Sequence, residues 1–186
     1  DAISMAQTAE GALQAVTAVA QRIITLATQG ANETMSKDQR SAIAAEINKL
    51  RTSVQDMAKR TKYTDTLLFN YPSASAGMNI QVSNLSTDKI TIGSAALGPI
   101  SIDSATALPA GSATASTEGD VLNTNISSLM SWSTGTATPA ATVVTALFTD
   151  IQNSATNYLN AIIKQRGELG AVQNQLEYTV SNLTEF

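Results

Sequence analysis

The feature that most constrains the fold of this chain is a heptad spacing of apolar residues over its first thirty positions. Alternating steps of three and four residues place side chains on one face of an α-helix that packs against other helices. The residues of this main row are Ala6, Ala9, Leu13, Val16, Ala20, Ile23 and Ala27. A second row at Ala12, Val19 and Leu26 widens the apolar stripe, which favours a helical bundle over a two-stranded coiled coil.

A second helix is predicted after a short turn. Gly30 and Asn32 indicate a helix end, and Ser36 with Gln39 three residues later forms a capping-box pattern. The same apolar steps then resume, so the two helices should form an antiparallel hairpin with a loop of about five residues. The apolar residues of the second helix are Ile43, Ile47, Leu50, Val54 and Met57.

The pattern changes from helical to strand-like after Lys62. Apolar and polar residues alternate over 78–82 and again over 88–92, which is the period of a half-buried β-strand. Residues 84–88 between them are rich in turn-forming types. The sequence therefore predicts a β-hairpin with strands 78–82 and 88–92.

Residues 94–142 differ in composition from the rest of the chain. They are rich in Ser, Thr, Ala, Gly and Pro, which is typical of loops or of a small inserted domain. Apolar residues between Val121 and Met130 predict one short helix inside this stretch, ending near Trp132. We expect the Trp132 side chain to belong to the local core.

A long periodic stretch returns after the insert and predicts about forty residues of uninterrupted helix. Gly167 and Gly170 lie inside it, and each costs up to about 1 kcal/mol relative to alanine. We expect a close helix–helix contact at these glycines, where a Cβ would not fit. The apolar positions are Val144, Leu147, Ile151, Tyr158, Ile162, Leu169, Val172, Leu176 and Leu183.

These patterns predict a mainly α fold: an elongated antiparallel helical bundle or coiled-coil rod with a small β-hairpin and a short insert. Residues 1–93 and 143–186 form the predicted helical rod domain, with the β-hairpin at about 78–92, and residues 94–142 form the variable Ser/Thr-rich insert. We expect three long helices to bury the apolar rows, with the chain termini adjacent at one end of the rod. The first residue is Asp1 and the apolar rows run to both ends, so we expect a piece of a longer coiled coil.

The composition excludes much catalytic chemistry. The chain has no histidine and no cysteine, which removes thiolate nucleophiles, imidazole bases and zinc-finger ligands. The carboxylates are scattered, and no calcium loop, GxSxG elbow or phosphate-binding glycine loop is present. We predict no catalytic, cofactor-binding or metal-binding residues, no cofactor and no enzymatic activity.

Charge and hydropathy exclude two further classes. Eleven basic and fifteen acidic residues give a net charge of −4, the wrong sign for a general nucleic-acid binder. No apolar stretch is long enough to insert into a membrane. Five basic residues near the end of the second helix are explained better by the helix dipole than by phosphate binding. They are Lys49, Arg51, Lys59, Arg60 and Lys62.

Several short segments resemble bacterial flagellin, and they follow one another in that family's order. The segment LGAVQNQL at 169–176 is the most specific of them. The resemblance covers roughly residues 1–92 and 143–186, and residues 94–142 carry none. The other segments are QTAEGAL at 7–13, QRI with LA and QGAN within 21–32, TKY with LL within 61–68, MNIQV at 78–82 and SNL at 181–183.

The resemblance implies a structural subunit of the bacterial flagellar filament, secreted to the outside of the cell, with other flagellin subunits as partners. In that family the terminal regions pair into a helical rod and the middle of the chain projects outward. The family's outer terminal segments have no counterpart here, so we expect this piece to be monomeric in dilute solution. Two alternatives remain open: a hook–filament junction protein, and a cell-surface flagellin homologue that binds glycans or adheres through its insert.

The resemblance also implies a candidate contact for the vertebrate Toll-like receptor that senses flagellin. The family stretch QRVRELA corresponds to residues 21–27, where Ile24 and Thr25 replace an arginine and a glutamate. We expect any binding to be weaker for that reason. Alternatively, Leu26 packs inside the bundle and Arg22 pairs with a neighbouring acid. The candidate contact residues are Gln21, Arg22, Leu26, Gln29 and Glu46.

Overall fold

The computed structural model describes residues 2–64, 66–69, 78–81, 89–92, 100, 102, 114–135 and 141–184. Four helices contain more than half of the chain, which confirms the mainly α prediction. The helices are α1 (Ala2–Gly30), α2 (Lys37–Arg60), α3 (Thr114–Thr134) and α4 (Ala141–Thr184). The strands are β1 (Lys62–Tyr63), β2 (Thr66–Leu67), β3 (Met78–Gln81) and β4 (Lys89–Ile92).

The helices form an antiparallel bundle in which α1 packs against α2 and α4, and α3 packs against the same two helices. Helices α2 and α4 therefore lie at opposite corners of the bundle. Three long helices were expected, and α3 adds a fourth because its apolar residues pack into the same core. The predicted short helix ending near Trp132 is thus confirmed, and it is longer than the apolar residues alone indicated.

The predicted apolar row of α1 is the centre of the core. All seven of its residues are completely buried, and Leu26 of the second row is buried with them. On α4, the buried side chains recur at the predicted positions, among them Ile151, Tyr158 and Leu169. The heptad spacing therefore predicted correctly which faces of α1 and α4 meet.

The turn between α1 and α2 is fixed by two side chains. The predicted capping box at the start of α2 is confirmed: Ser36 Oγ accepts the Gln39 backbone N–H, and Gln39 Oε1 accepts the Ser36 N–H. One residue later, the buried Arg40 donates from Nη2 to the carbonyl oxygen of Asn32 at 2.8 Å. This bond ties the start of α2 to the turn that follows α1, and no sequence pattern predicted it.

The strands form two antiparallel pairs. Strands β3 and β4 pair with Met78 opposite Ile92 and Gln81 opposite Lys89, which confirms the predicted hairpin. Residues 82–88, with the predicted turn, lie outside the described residues. The β1–β2 pair was not predicted, and Thr64 in its turn adopts a left-handed φ of +44°.

Two residues from the predicted insert lie in the core. The side chains of Ile100 and Ile102 are fully buried. The Tyr158 hydroxyl on α4 donates to the carbonyl oxygen of Ile100, and Gln55 Nε2 on α2 donates to that of Ile102 at 2.9 Å. Ile100 and Ile102 are therefore hydrogen-bonded to α4 and α2, respectively. The division of the chain into rod and insert stays a prediction.

The expectation of a close helix–helix contact at Gly167 and Gly170 was wrong. Within the described part of the chain, a Cβ added at either glycine would meet no atom within 4 Å. Gly30 at the end of α1 is the opposite case, because an added Cβ would overlap the buried ring of Phe148. Gly30 is therefore the glycine that allows α1 and α4 to approach each other.

Candidate interaction surface

The structure places Arg22 and Glu46 in direct contact on the outside of the α1–α2 hairpin. Arg22 donates from Nε and Nη2 to Glu46 Oε1, at 3.1 and 2.7 Å. The two side chains are 54% and 44% exposed, so the pair is accessible to a partner and only partly shielded from water. These residues are 24 apart in sequence, and the antiparallel hairpin brings them together.

The other candidate residues divide into exposed and buried ones. Gln21 and Gln29 are exposed on α1, and Gln29 lies two turns beyond Arg22 on the same face. Leu26 is only 2% exposed, because it belongs to the core between the helices. The structure therefore offers a polar surface of Gln21, Arg22, Gln29 and Glu46, with Leu26 supporting it from beneath.

A second ion pair joins α1 to α4. Arg166 donates from Nε and Nη2 to Glu10 Oε1, at 2.9 and 2.7 Å, and both side chains are 32% exposed. Sequence reasoning did not predict this pair, since its members are 156 residues apart. It fixes the register of the two helices by setting the start of α1 beside the C-terminal half of α4.

Helix α2 also carries an open groove of about 630 Å³ on its outer face, lined by residues that include Lys49, Ser53 and Arg60. The Arg51 side chain turns away from this face and donates from Nη1 to Asn123 Oδ1 and Ser127 Oγ on α3. Among the described residues, no group of three or more acidic side chains converges in a way that would hold a metal ion.

None of the described helices combines the length and apolarity that a membrane crossing needs. The described helices form an antiparallel rod with charged pairs and open grooves on its surface. Comparisons with known proteins indicate the family to which this rod is related.

Residues 1–74 match the family model described as the bacterial flagellin N-terminal helical region. That stretch contains all of α1 and α2 and the first strand pair. The chain is similar to a flagellin from Clostridium tyrobutyricum, with 40% identity over 70 residues, covering 38% of this chain and 19% of the relative. It is also similar to flagellin C of Vibrio cholerae, with 39% identity over 84 residues, covering 45% of this chain and 22% of the relative. These matches support a bacterial flagellin.

The matched stretch spans about one fifth of the length of these curated relatives. Residues 1–74, which the family model matches, contain the whole candidate surface, because Gln21 to Gln29 lie on α1 and Glu46 lies on α2. The family match over residues 1–74 lies within the first part of the resemblance noted in the sequence, roughly residues 1–92.

Proposed function

We propose that this chain is the rod part of a structural subunit of the bacterial flagellar filament, secreted and located in the flagellum outside the cell. The observation that carries the proposal is the match of the whole α1–α2 hairpin to the flagellin N-terminal region. The return helix α4 packs along α1, which supports the rod arrangement of that family. The role is structural, with no catalytic residues and no cofactor.

In this proposal residues 1–93 and 143–186 build the rod, and residues 94–142 form the variable insert. The insert contributes α3, whose buried Leu122, Ile126 and Leu129 add to the rod core. Other flagellin subunits are the partners in the filament. We expect the isolated chain to be monomeric in dilute solution, and sedimentation should give a single species of one chain's mass.

Immunogold microscopy with antibodies raised against the purified chain tests the filament role. Labelling along the whole length of filaments on the source bacterium is expected. Labelling confined to a band between hook and filament would replace the proposal by the junction reading. Labelling of the cell wall alone would replace it by the adhesion reading.

We also propose that the polar surface of Gln21, Arg22, Gln29 and Glu46 contacts the vertebrate flagellin-sensing Toll-like receptor. The exposed Arg22–Glu46 pair supports this, because arginine and its charged hydrogen bonds often dominate interfaces. The buried Leu26 holds α1 in place beneath the pair rather than inserting into the receptor.

A binding titration with the receptor ectodomain tests the contact. Arg22→Ala should weaken binding by roughly 10- to 100-fold, since a lost charged hydrogen bond costs about 1.5–3 kcal/mol. Arg60→Ala removes a more exposed cation from the far end of α2 and should leave binding unchanged. Equal affinities for all three proteins would show that the receptor uses another surface.

A further inference from the structure

The sequence contains four tripeptides of the form Asn-x-Ser/Thr, the pattern at which sugars are attached to an asparagine nitrogen. They begin at Asn32, Asn84, Asn125 and Asn182. Such a short pattern also arises by chance, so the tripeptide alone assigns no site. The surroundings of each asparagine decide, because the reaction needs an exposed side-chain nitrogen that makes no other bond. The tripeptide at 84–86 lies outside the described residues.

The first tripeptide lies in the turn between α1 and α2, and its three residues are exposed. Asn32 Oδ1 accepts two hydrogen bonds from Thr34, one from the backbone N–H at 3.1 Å and one from the hydroxyl at 3.0 Å. The threonine of the tripeptide therefore closes an Asx-turn on its own asparagine. Because a backbone N–H can only donate, the Asn32 atom that faces it is the oxygen of the carboxamide.

The nitrogen of the same carboxamide has no partner. Within the described part of the chain, Asn32 Nδ2 donates no hydrogen bond, and Asn32 is exposed. The backbone of the turn is fixed separately, since the Asn32 carbonyl oxygen accepts bonds from the buried Arg40 at 2.8 Å and from the Met35 N–H at 3.3 Å. The turn is thus ordered while Nδ2 is accessible at the surface.

The two bonds from Thr34 also affect the reactivity of the Asn32 nitrogen. A carboxamide nitrogen is a poor nucleophile because its lone pair is delocalised into the carbonyl group. Hydrogen bonds to Oδ1 stabilise negative charge on that oxygen, so a proton is removed from Nδ2 more easily. The Thr34 hydroxyl therefore has a chemical role in addition to closing the turn.

The tripeptide at Asn125 has a different environment, because it lies on α3 and packs against α4. Asn125 Nδ2 donates to the Asp150 carbonyl oxygen at 3.2 Å and to Ser154 Oγ at 3.0 Å, which uses both of its protons. The hydroxyl of Ser127, the third residue of this tripeptide, accepts a bond from Arg51 at 3.2 Å. Reaction at Asn125 would require α3 to separate from α4.

The tripeptide at Asn182 is exposed but helical, since α4 extends to Thr184. In an α-helix each backbone N–H donates to the carbonyl oxygen four residues earlier. The N–H of Thr184 therefore does not donate to Asn182 Oδ1, and the Asx-turn seen at Asn32 does not form there. Of the three described tripeptides, the first alone combines an exposed nitrogen with this turn.

We propose that Asn32 is a site of N-linked glycosylation in the folded chain, with a glycosyl diphosphate as the sugar donor. The new bond joins Asn32 Nδ2 to C1 of the sugar, and the bond between C1 and the diphosphate oxygen breaks. The Nδ2 proton passes to a base of the transferase, and the diphosphate leaves with the electron pair. No oxidant or reductant takes part. The inference is independent of the proposed filament function.

Two kinds of carrier hold sugars as glycosyl diphosphates: nucleotides and polyprenyl lipids. Both offer the same C1–oxygen bond to Asn32, so the test has one arm for each carrier. The simplest alternative is that the Asx-turn has a structural role only. Asparagine and aspartate both form such turns, which allows the two roles to be separated by substitution.

The purified, folded chain is incubated in two separate reactions. One contains UDP-glucose and a nucleotide-sugar-dependent N-glycosyltransferase, and the other a polyprenyl-diphosphate-linked oligosaccharide and an oligosaccharyltransferase. Both enzymes are first shown to modify a synthetic peptide of residues 121–131 at Asn125, which is free of helix packing in the peptide. Intact mass and peptide fragmentation then locate the sugar in the folded chain.

Asn32 should carry the sugar in at least one arm, and that arm identifies the carrier. Its occupancy should exceed that of Asn125 at least about tenfold, because reaction at Asn125 first requires local opening of α3. An unmodified Asn32 in both arms overturns the proposal. Equal occupancy of Asn32 and Asn125 also overturns it, as does a sugar attached to the oxygen of Thr34.

Three substitutions separate the chemical role of the turn from its structural one. Asn32→Asp keeps an oxygen for both bonds from Thr34 and removes the nitrogen, so it should abolish the modification while the melting temperature stays unchanged. Thr34→Val keeps the backbone N–H and removes the hydroxyl, and it should lower the occupancy of Asn32 to that of Asn125. Thr34→Ser should restore it. Full occupancy in folded Thr34→Val would contradict the proposal.

Discussion

The hydroxyl of Tyr158 donates a hydrogen bond to the carbonyl oxygen of Ile100 in the interior of the rod. Both residues are completely buried, and the bond joins α4 to a segment 58 residues earlier in the chain. Burial raises the pKa of the Tyr158 phenol above its usual range. Because water cannot replace either partner, we expect both stability and its pH dependence to depend on this bond.

Tyr158→Phe keeps the ring and removes only the donor, so the carbonyl of Ile100 is left buried without its partner. The free energy of unfolding should fall by about 1–3 kcal/mol. Urea denaturation followed by circular dichroism measures this change. Tyr178→Phe is the matched control: its side chain is 74% exposed, and the change should stay within about 0.5 kcal/mol. Equal stability of the two variants would show that the buried bond contributes nothing.

The stability of the wild type should decrease above about pH 10. The unfolded chain releases the tyrosine proton near the ordinary phenol pKa of about 10, whereas folded Tyr158 retains it because its pKa is raised. The stabilising contribution of the protonated Tyr158 phenol is therefore complete below pH 10 and is lost as the pH rises above 10. The free energy of unfolding, measured by denaturation at several pH values from 8 to 11, should fall more steeply with pH for the wild type than for Tyr158→Phe. Parallel curves would contradict this prediction.

Glu10→Gln should lower the free energy of unfolding by about 1 kcal/mol, because a two-donor ion pair from Arg166 becomes a weaker neutral contact. Asp56→Asn removes the exposed partner of Arg60, 3.9 Å away, and should change stability by less than about 0.5 kcal/mol. Melting temperatures of the Glu10→Gln and Asp56→Asn variants, measured at low and high salt, compare the contributions of the two ion pairs to stability. A double-mutant cycle with Arg166→Ala should assign the loss to the pair, and a coupling energy near zero would rule this out.

Replacing glycine by alanine should change the free energy of unfolding in opposite directions at two positions. Gly167→Ala should raise the free energy of unfolding by about 0.5–1 kcal/mol, since the added Cβ meets open space and alanine favours the helix. Gly30→Ala should lower it by about 1–3 kcal/mol, since the methyl group overlaps the ring of Phe148. Melting temperatures of the two variants measure this difference.

A second substitution separates this overlap from other causes. Phe148→Leu should lower stability by itself, and Gly30→Ala should then cost less in the Phe148→Leu background than in the wild type. If Gly30→Ala is equally harmful in both backgrounds, the steric explanation is wrong and the loss arises from the end of α1.

The long helices could be predicted from sequence because their apolar spacing repeats over many turns. The capping box at Ser36 and Gln39 depends only on neighbouring residues, and it too was predictable. The bonds from Tyr158 to Ile100 and from Gln55 to Ile102 join distant segments, one of which has no periodic pattern. The alternation of Ile100 and Ile102 was the one local signal that this segment enters the core.

In the candidate surface, too, features set by neighbouring residues could be predicted from sequence, whereas contacts between separate helices could not. Leu26 occupies the second apolar row of α1, and its burial follows from that position. Its proposed exposure to a receptor came from family resemblance, which carries no information on packing. The Arg22–Glu46 contact depends on how far α2 is shifted along α1. The sequence predicted a loop of about five residues between these helices, whereas the loop has six, so the sequence did not fix which residues of α1 and α2 face each other.

The adjacency of the helices has a consequence for the order in which the rod assembles. Helices α1 and α2 are joined by a short turn, and α3 and α4 also follow one another closely in sequence. Each hairpin can therefore form from local contacts, and local contacts form fast. The α1–α4 interface joins residues such as Glu10 and Arg166, which are separated by most of the chain. We therefore expect docking of the two hairpins to be slower than formation of either hairpin, because it depends on contacts between the first half of α1 and the C-terminal half of α4.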